Sequence, residues 1–102
     1  MRLLINLAHQ QIEDKKLTTP AGDNAYETFR SILVIEPRNK AALAGIEKII
    51  NRYTAWAKLD IKDNNIKRAR YFLTLAIEIN PDDRELKELL LSLDSIKTSS
   101  LN

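Results

Sequence analysis

The chain reads as an all-α repeat protein of about five packed helices. Three observations predict this. Ala42, Ile46, Ile49, Tyr53 and Trp56 recur at steps of three or four, an apolar stripe along a helix of roughly six turns. Turn-formers are scarce, with 2 Gly and 3 Pro in 102 residues, while Ile, Leu, Ala, Lys and Glu abound, as in proteins of long helices and few loops. The segments on either side of the stripe also look like copies of one another.

A first helix is predicted over residues 2–16. Leu4, Ala8 and Ile12 lie on one line, Ile5 and Leu7 stand beside it, and Lys15 and Lys16 suit a helix C-terminus. LTTPAGDN, residues 17–24, is a connector punctuated by Pro20 and Gly22, with Asp23 or Asn24 placed to cap the next helix. That second helix, 24–36, buries Ala25, Phe29 and Ile32, with Leu33 adjacent. Pro37 stops it, because the residue before a proline avoids the helical region.

Asn39 caps the long third helix, 39–62. A second seam there, Leu43, Ile50, Ala57 and Ile61, widens the stripe so that it is covered on more than one side. Gly45 inside it costs about 1 kcal/mol against Ala and predicts the close approach of a neighbouring helix. Asn64 or Asn65 opens a fourth helix, 65–79, facing inward through Ile66, Ala69, Leu73, Ala76 and Ile77. Asn80-Pro81 ends it. Asp82 or Asp83 caps a fifth, 83–97, with Leu86, Leu89, Leu90, Leu93 and Ile96 as its stripe. Residues 1–97 read as one domain, and 98–102 as a disordered tail.

Composition narrows the function. Apolar residues at 44% and charged residues at 29% are ordinary for a folded domain. The absence of cysteine removes disulfides and thiolate chemistry. Asn6, His9 and Gln10 interrupt the opening apolar patch, so no secretory leader is expected at this start. No stretch approaches the ~20 apolar residues of a membrane span. The compartment stays open between cytoplasm and periplasm. The net charge of +2 is unevenly spread: residues 48–70 carry a surplus of five positive charges, and residues 71–102 a surplus of three negative ones.

Catalytic and metal-binding constellations are not found. His9 is the single histidine and reads as structural. Nucleotide-binding glycine loops and nucleophile elbows are missing, and residues 60–65 lack the Gly and Glu of a calcium loop. Asp82, Asp83 and Glu85 read as a capping cluster. No cofactor is expected, and the chain is not expected to be an enzyme.

Pro37 and Pro81, Ala25 and Ala69, Phe29 and Leu73, and Ile35 and Ile79 all stand 44 positions apart, as do Ile5 and Ile49. A fixed period of this size marks a repeat array. Ala25-x3-Phe29 followed by Pro37, and Ala69-x3-Leu73 followed by Pro81, resemble the second-helix signature of the tetratricopeptide repeat, A-x3-F…P. Its first-helix pattern, W-x2-L-G-x2-Y, is approached by Tyr53-x2-Trp56-Ala57, with Asp60 where the last aromatic belongs. His9-x2-Ile12-Glu13-x2-Lys16 departs from it, and the period of 44 exceeds the family's usual ~34.

The resemblance implies a short right-handed α-solenoid of about two repeats and a closing helix, whose opening helices line a groove for a peptide or a partner helix. It implies protein binding, in an accessory module of a larger bacterial protein or assembly. On the long helix, the face left by the apolar stripe carries Asn51, Thr54, Lys58 and Lys62, the candidate contacts for an acidic peptide. About two and a half repeats fall short of the roughly three that such arrays need. The long helix compensates, the array continues upstream, or the chain self-associates through Leu3, Leu7 or Leu91. A third class of function, nucleic-acid binding, would use Lys67, Arg68 and Arg70, with Tyr71 stacking on a base.

Overall fold

The computed structural model describes residues 1–101, with side chains described through Ser95, and every element in them is helical. The helices are α1 (Arg2–Glu13), α2 (Ala25–Ile35), α3 (Lys40–Lys62), α4 (Ile66–Ile79) and α5 (Arg84–Leu101). The tail expected over 98–102 and the stripe residue Ile96 lie outside the fully described residues. The helices group into two compact units, Met1–Ile49 and Ile50–Asn102, with α3 contributing to both.

In the first unit α1 packs on α2. Its core is Ala8, Ile12, Ala25, Phe29, Ile32, Ala42 and Ile49, all essentially without solvent exposure. Leu17, inside the predicted connector, is also fully buried and anchors that segment. Gly45 lies directly under Phe29: a methyl group added there would overlap the tip of the Phe29 ring. The glycine therefore exchanges helix propensity for close packing.

In the second unit α4 packs on α5. Ala57, Ala69, Leu73, Ala76, Leu86 and Leu93 are fully buried, with Tyr53 and Ile50 close behind. One member of the expected second seam, Leu43 in the first unit, is not inside: it is 48% exposed. A strict seven-residue spacing drifts about 20° per heptad on a straight helix, so Leu43, two heptads before Ala57, is carried round toward water.

The two units share one plan. The joint between α2 and α3 recurs between α4 and α5, always 44 residues on. Glu36 has φ −127° and ψ 84°, and Asn80 has φ −133° and ψ 83°. The Asn39 amide donates to Glu36 O at 3.0 Å, and the Asp83 amide to Asn80 O at 3.1 Å. Asn39 Oδ1 accepts from the Ala42 amide at 2.9 Å, and Asp83 Oδ1 from the Leu86 amide at 3.0 Å. These are side-chain N-caps of the usual kind.

Ahead of the loop the shift is different. α1 and α3 end in the same six-to-one and five-to-two hydrogen-bonded turn. The Lys16 amide donates to Gln11 O and the Lys15 amide to Ile12 O; Asn65 and Asn64 donate to Asp60 O and Ile61 O in the same way. The pivots are left-handed, Lys15 at φ 62° and Asn64 at φ 64°. These pairs stand 49 residues apart, because the loop of the first unit carries five residues that the second lacks. Ile5 is therefore the counterpart of Thr54, and the expected pairing of Ile5 with Ile49 is replaced. α1 also stops at Glu13 instead of running to Lys16, because Lys15 turns the chain.

The loop is tied at both ends. Asn24 caps α2 through the Glu27 amide at 2.9 Å, while Glu27 reaches back to the Gly22 amide and to Asn24 Nδ2. Lys16 Nζ holds Asp23 at 2.7 Å, Gln11 donates to the other Asp23 oxygen at 3.0 Å, and Thr28 donates to Gln11 at 2.7 Å. These contacts hold the Asp23 carboxyl below its ordinary range, chiefly through the Lys16 hydrogen bond, and raise Lys16 in turn.

Candidate functional site

The four residues singled out on α3 fall in the second unit, and they do not share one fate. Asn51, Lys58 and Lys62 are exposed. Thr54 is turned in: it is 6% exposed, and its hydroxyl donates to the Ile50 carbonyl at 2.8 Å. A helical threonine satisfies itself on the preceding turn in this way when no water reaches it. Lys58 meets Glu85 of α5 at 3.2 Å, with both groups more than half exposed, so the contact contributes at most about 1 kcal/mol. Lys62 lies in the last turn of α3, where a cation suits the helix dipole.

The basic cluster of α4 is partly neutralised within the unit. Arg70 pairs with Asp94 of α5 at 2.7 Å. Arg68 Nε lies 3.6 Å from Asp60 Oδ2. Asp60 is buried, and that oxygen has no hydrogen-bond partner. Its counterpart in the first unit, Gln11, is also buried, but both its amide nitrogen and its amide oxygen are hydrogen-bonded. At the position of Thr28, which serves Gln11, the second unit has Phe72, so Asp60 depends on the Arg68 charge. The head of α4 carries no side-chain cap and no acid in its first turn. A recess of about 480 Å³ opens there, lined by residues Asn64 to Arg68.

Sequence reasoning missed the cluster around Phe72. Four of the six aromatic residues are joined through ring contacts in this unit. Phe72 stacks on Tyr53 with centroids 5.8 Å apart, meets Trp56 at 5.4 Å and Tyr71 at 5.7 Å. The Arg68 guanidinium lies over the Phe72 ring, 5.5 Å from its centroid, a favourable use of the ring's negative face. Trp56 and Phe72 are half-buried, and Tyr71 is 54% exposed. The signal was available: Arg68 and Phe72, like Lys67 and Tyr71, stand four apart, side by side on a helix.

In the first unit His9 is exposed and meets Phe29 edge-on, with centroids 5.7 Å apart, consistent with a packing role. Among the described residues no group of three or more His, Cys, Asp or Glu is placed to hold a metal ion. Also among them, no helix is long and apolar enough to cross a membrane. No family model, curated protein or solved structure matches this chain.

Proposed function

We propose that the chain is a non-catalytic protein–protein interaction module, a short tetratricopeptide-like α-solenoid of antiparallel helix pairs that takes up a peptide or a partner helix. The observation that carries this is the common plan of the two units. With the 49-residue shift, Leu4-x2-Leu7-Ala8-x2-Gln11 stands where Tyr53-x2-Trp56-Ala57-x2-Asp60 stands. Both copies then place two large apolar residues and a small one at the first three positions of W-x2-L-G-x2-Y, where His9, Ile12 and Glu13 do not, with Gln11 and Asp60 at the last. Repetition of one helical unit is how interaction arrays extend their surface. On this reading the module serves a larger bacterial protein or assembly, and Asn51, Lys58 and Lys62 supply polar contacts to an acidic partner.

The test is capture from a lysate of the source organism, comparing the parent with Lys58→Glu/Lys62→Glu. A partner kept by the parent and lost by an equally folded variant supports the reading. Equal capture by both moves the contact off the lysines.

A second reading, assembly with copies of itself, is favoured by one observation. Leu3 and Leu91 are 83% and 66% exposed, and Leu7 nearly half. Leu3 and Leu7 stand one turn apart on α1 and form a contiguous exposed apolar strip, the kind of surface found at interfaces. A mass that grows with concentration in sedimentation would support it. Nucleic-acid binding is less well served, since Arg68 and Arg70 already face Asp60 and Asp94.

A further inference from the structure

We propose that the head of α4, with Trp56 behind it, is a docking ledge for an acidic peptide segment bearing an apolar or aromatic anchor. This rests on the interaction-module reading and names a site different from the α3 lysines. Two parallel rows make the ledge: Lys67 with Tyr71, and Arg68 with Phe72, each pair one helical turn apart. Tyr71 and the Arg68 side chain are more than half exposed, and Trp56 and Phe72 show part of their rings. Trp, Tyr and Arg are the residues that dominate binding energy at protein interfaces.

Phe72 carries an exposed tyrosine, Tyr71, and a half-buried tryptophan, Trp56, as separate ring neighbours, whereas this unit's fully buried core includes Ala57, Ala69, Leu73 and Ala76. Arg68 is already oriented, held over Phe72 and drawn toward Asp60, so less side-chain freedom is lost when it meets a carboxylate.

Charge selects the occupant. The ledge's own cations are Lys67, exposed one turn from Tyr71, and Arg68, within a stretch, residues 48–70, that carries a surplus of five positive charges. The complementary partner is anionic. The α5 acids of a second copy are a poor source of it, because Glu85, Glu88 and Asp94 already pair with Lys58, Arg84 and Arg70. A phosphate backbone is a poor match as well, since Asp60 and Asp94 stand among the arginines, whereas a short acidic peptide needs only one or two cations beside its anchor.

The experiment is selection of a random-peptide display library on the immobilised full chain, with titration of the enriched peptides against the single tryptophan, Trp56. Enriched peptides should be net negative with an apolar or aromatic residue. They should perturb Trp56 emission and lose about tenfold in affinity against Tyr71→Ser or Lys67→Glu, both exposed sites whose variants should melt like the parent. Peptides of neutral or positive charge, or binding indifferent to both variants, overturn the proposal. Loss only with Lys58→Glu/Lys62→Glu sinks the ledge while leaving the interaction reading standing. No enrichment at all sinks both. Displacement of the peptides by single-stranded oligonucleotide, or self-association abolished by Tyr71→Ser, would reassign the ledge and overturn the peptide as its occupant.

Discussion

Replacing Gly45 by alanine sets two effects of opposite sign against each other. Alanine gains about 1 kcal/mol of helix propensity over glycine. Against that, its methyl group would overlap the end of the Phe29 ring, in contact with three of its carbons. Phe29 has no exposed surface, and Gly45 is buried beneath it, so the ring has no free space to move into. Overpacking of a closed core costs about 1–3 kcal/mol, and an overlap this deep belongs at the upper end. The net expectation is a loss of about 1–2 kcal/mol, a fall in melting temperature of about 4–15 °C for a chain of this size.

Urea unfolding monitored by circular dichroism measures it. Phe29→Leu removes the ring tip, so the same alanine in that background should cost little or become favourable, with a coupling of about 1 kcal/mol or more. If Gly45→Ala alone is as stable as the parent, propensity has won and the close approach is not what the glycine serves.

The joints and the loop give three further expected outcomes. Lys15 is left-handed where most residues are strained, so Lys15→Gly should stabilise by about 1 kcal/mol in the same unfolding assay. Asn39→Ala and Asp83→Ala remove equivalent caps and should each cost about 1 kcal/mol; a large difference between them would contradict the common plan. The Lys16–Asp23 contact sets a pH window. Asp23 is lowered from 3.8, so its contribution is present above about that pH and is lost as pH falls through the lower folded value. Lys16 is raised from 10.5, so its contribution is complete below that pH and is lost as pH rises through the higher folded value. In Asp23→Asn, melting temperature should therefore vary less at both extremes.

Helices, caps and most of the core were legible from the order of the residues. Steps of three and four put Ala25, Phe29, Ile32, Ala69, Leu73 and Ala76 inside, and each is fully buried. Asn39 and Pro37 marked one joint; Pro81 marked the other, with Asp82 and Asp83 both open as its cap until the structure put the Leu86 amide on Asp83. These are local signals, carried by residues within one or two turns of their effect. Features that depend on distant partners were not legible in this way. Leu17 belongs to the core, and a leucine in a loop is buried only if another element covers it.

Packing also moved the register of α1 from 44 to 49, because five inserted residues are absorbed by hydrogen bonds between Lys16 and Ala25 and between Leu17 and Tyr26. The same holds for the candidate site. Thr54 looked like its neighbours Asn51 and Lys58 until neighbouring packing sealed it. Phe72 read as one more apolar residue until Tyr53, Trp56 and Arg68 gathered around it. Helical periodicity specifies which residues share a face, but the elements packed against that face decide which of them stay in water.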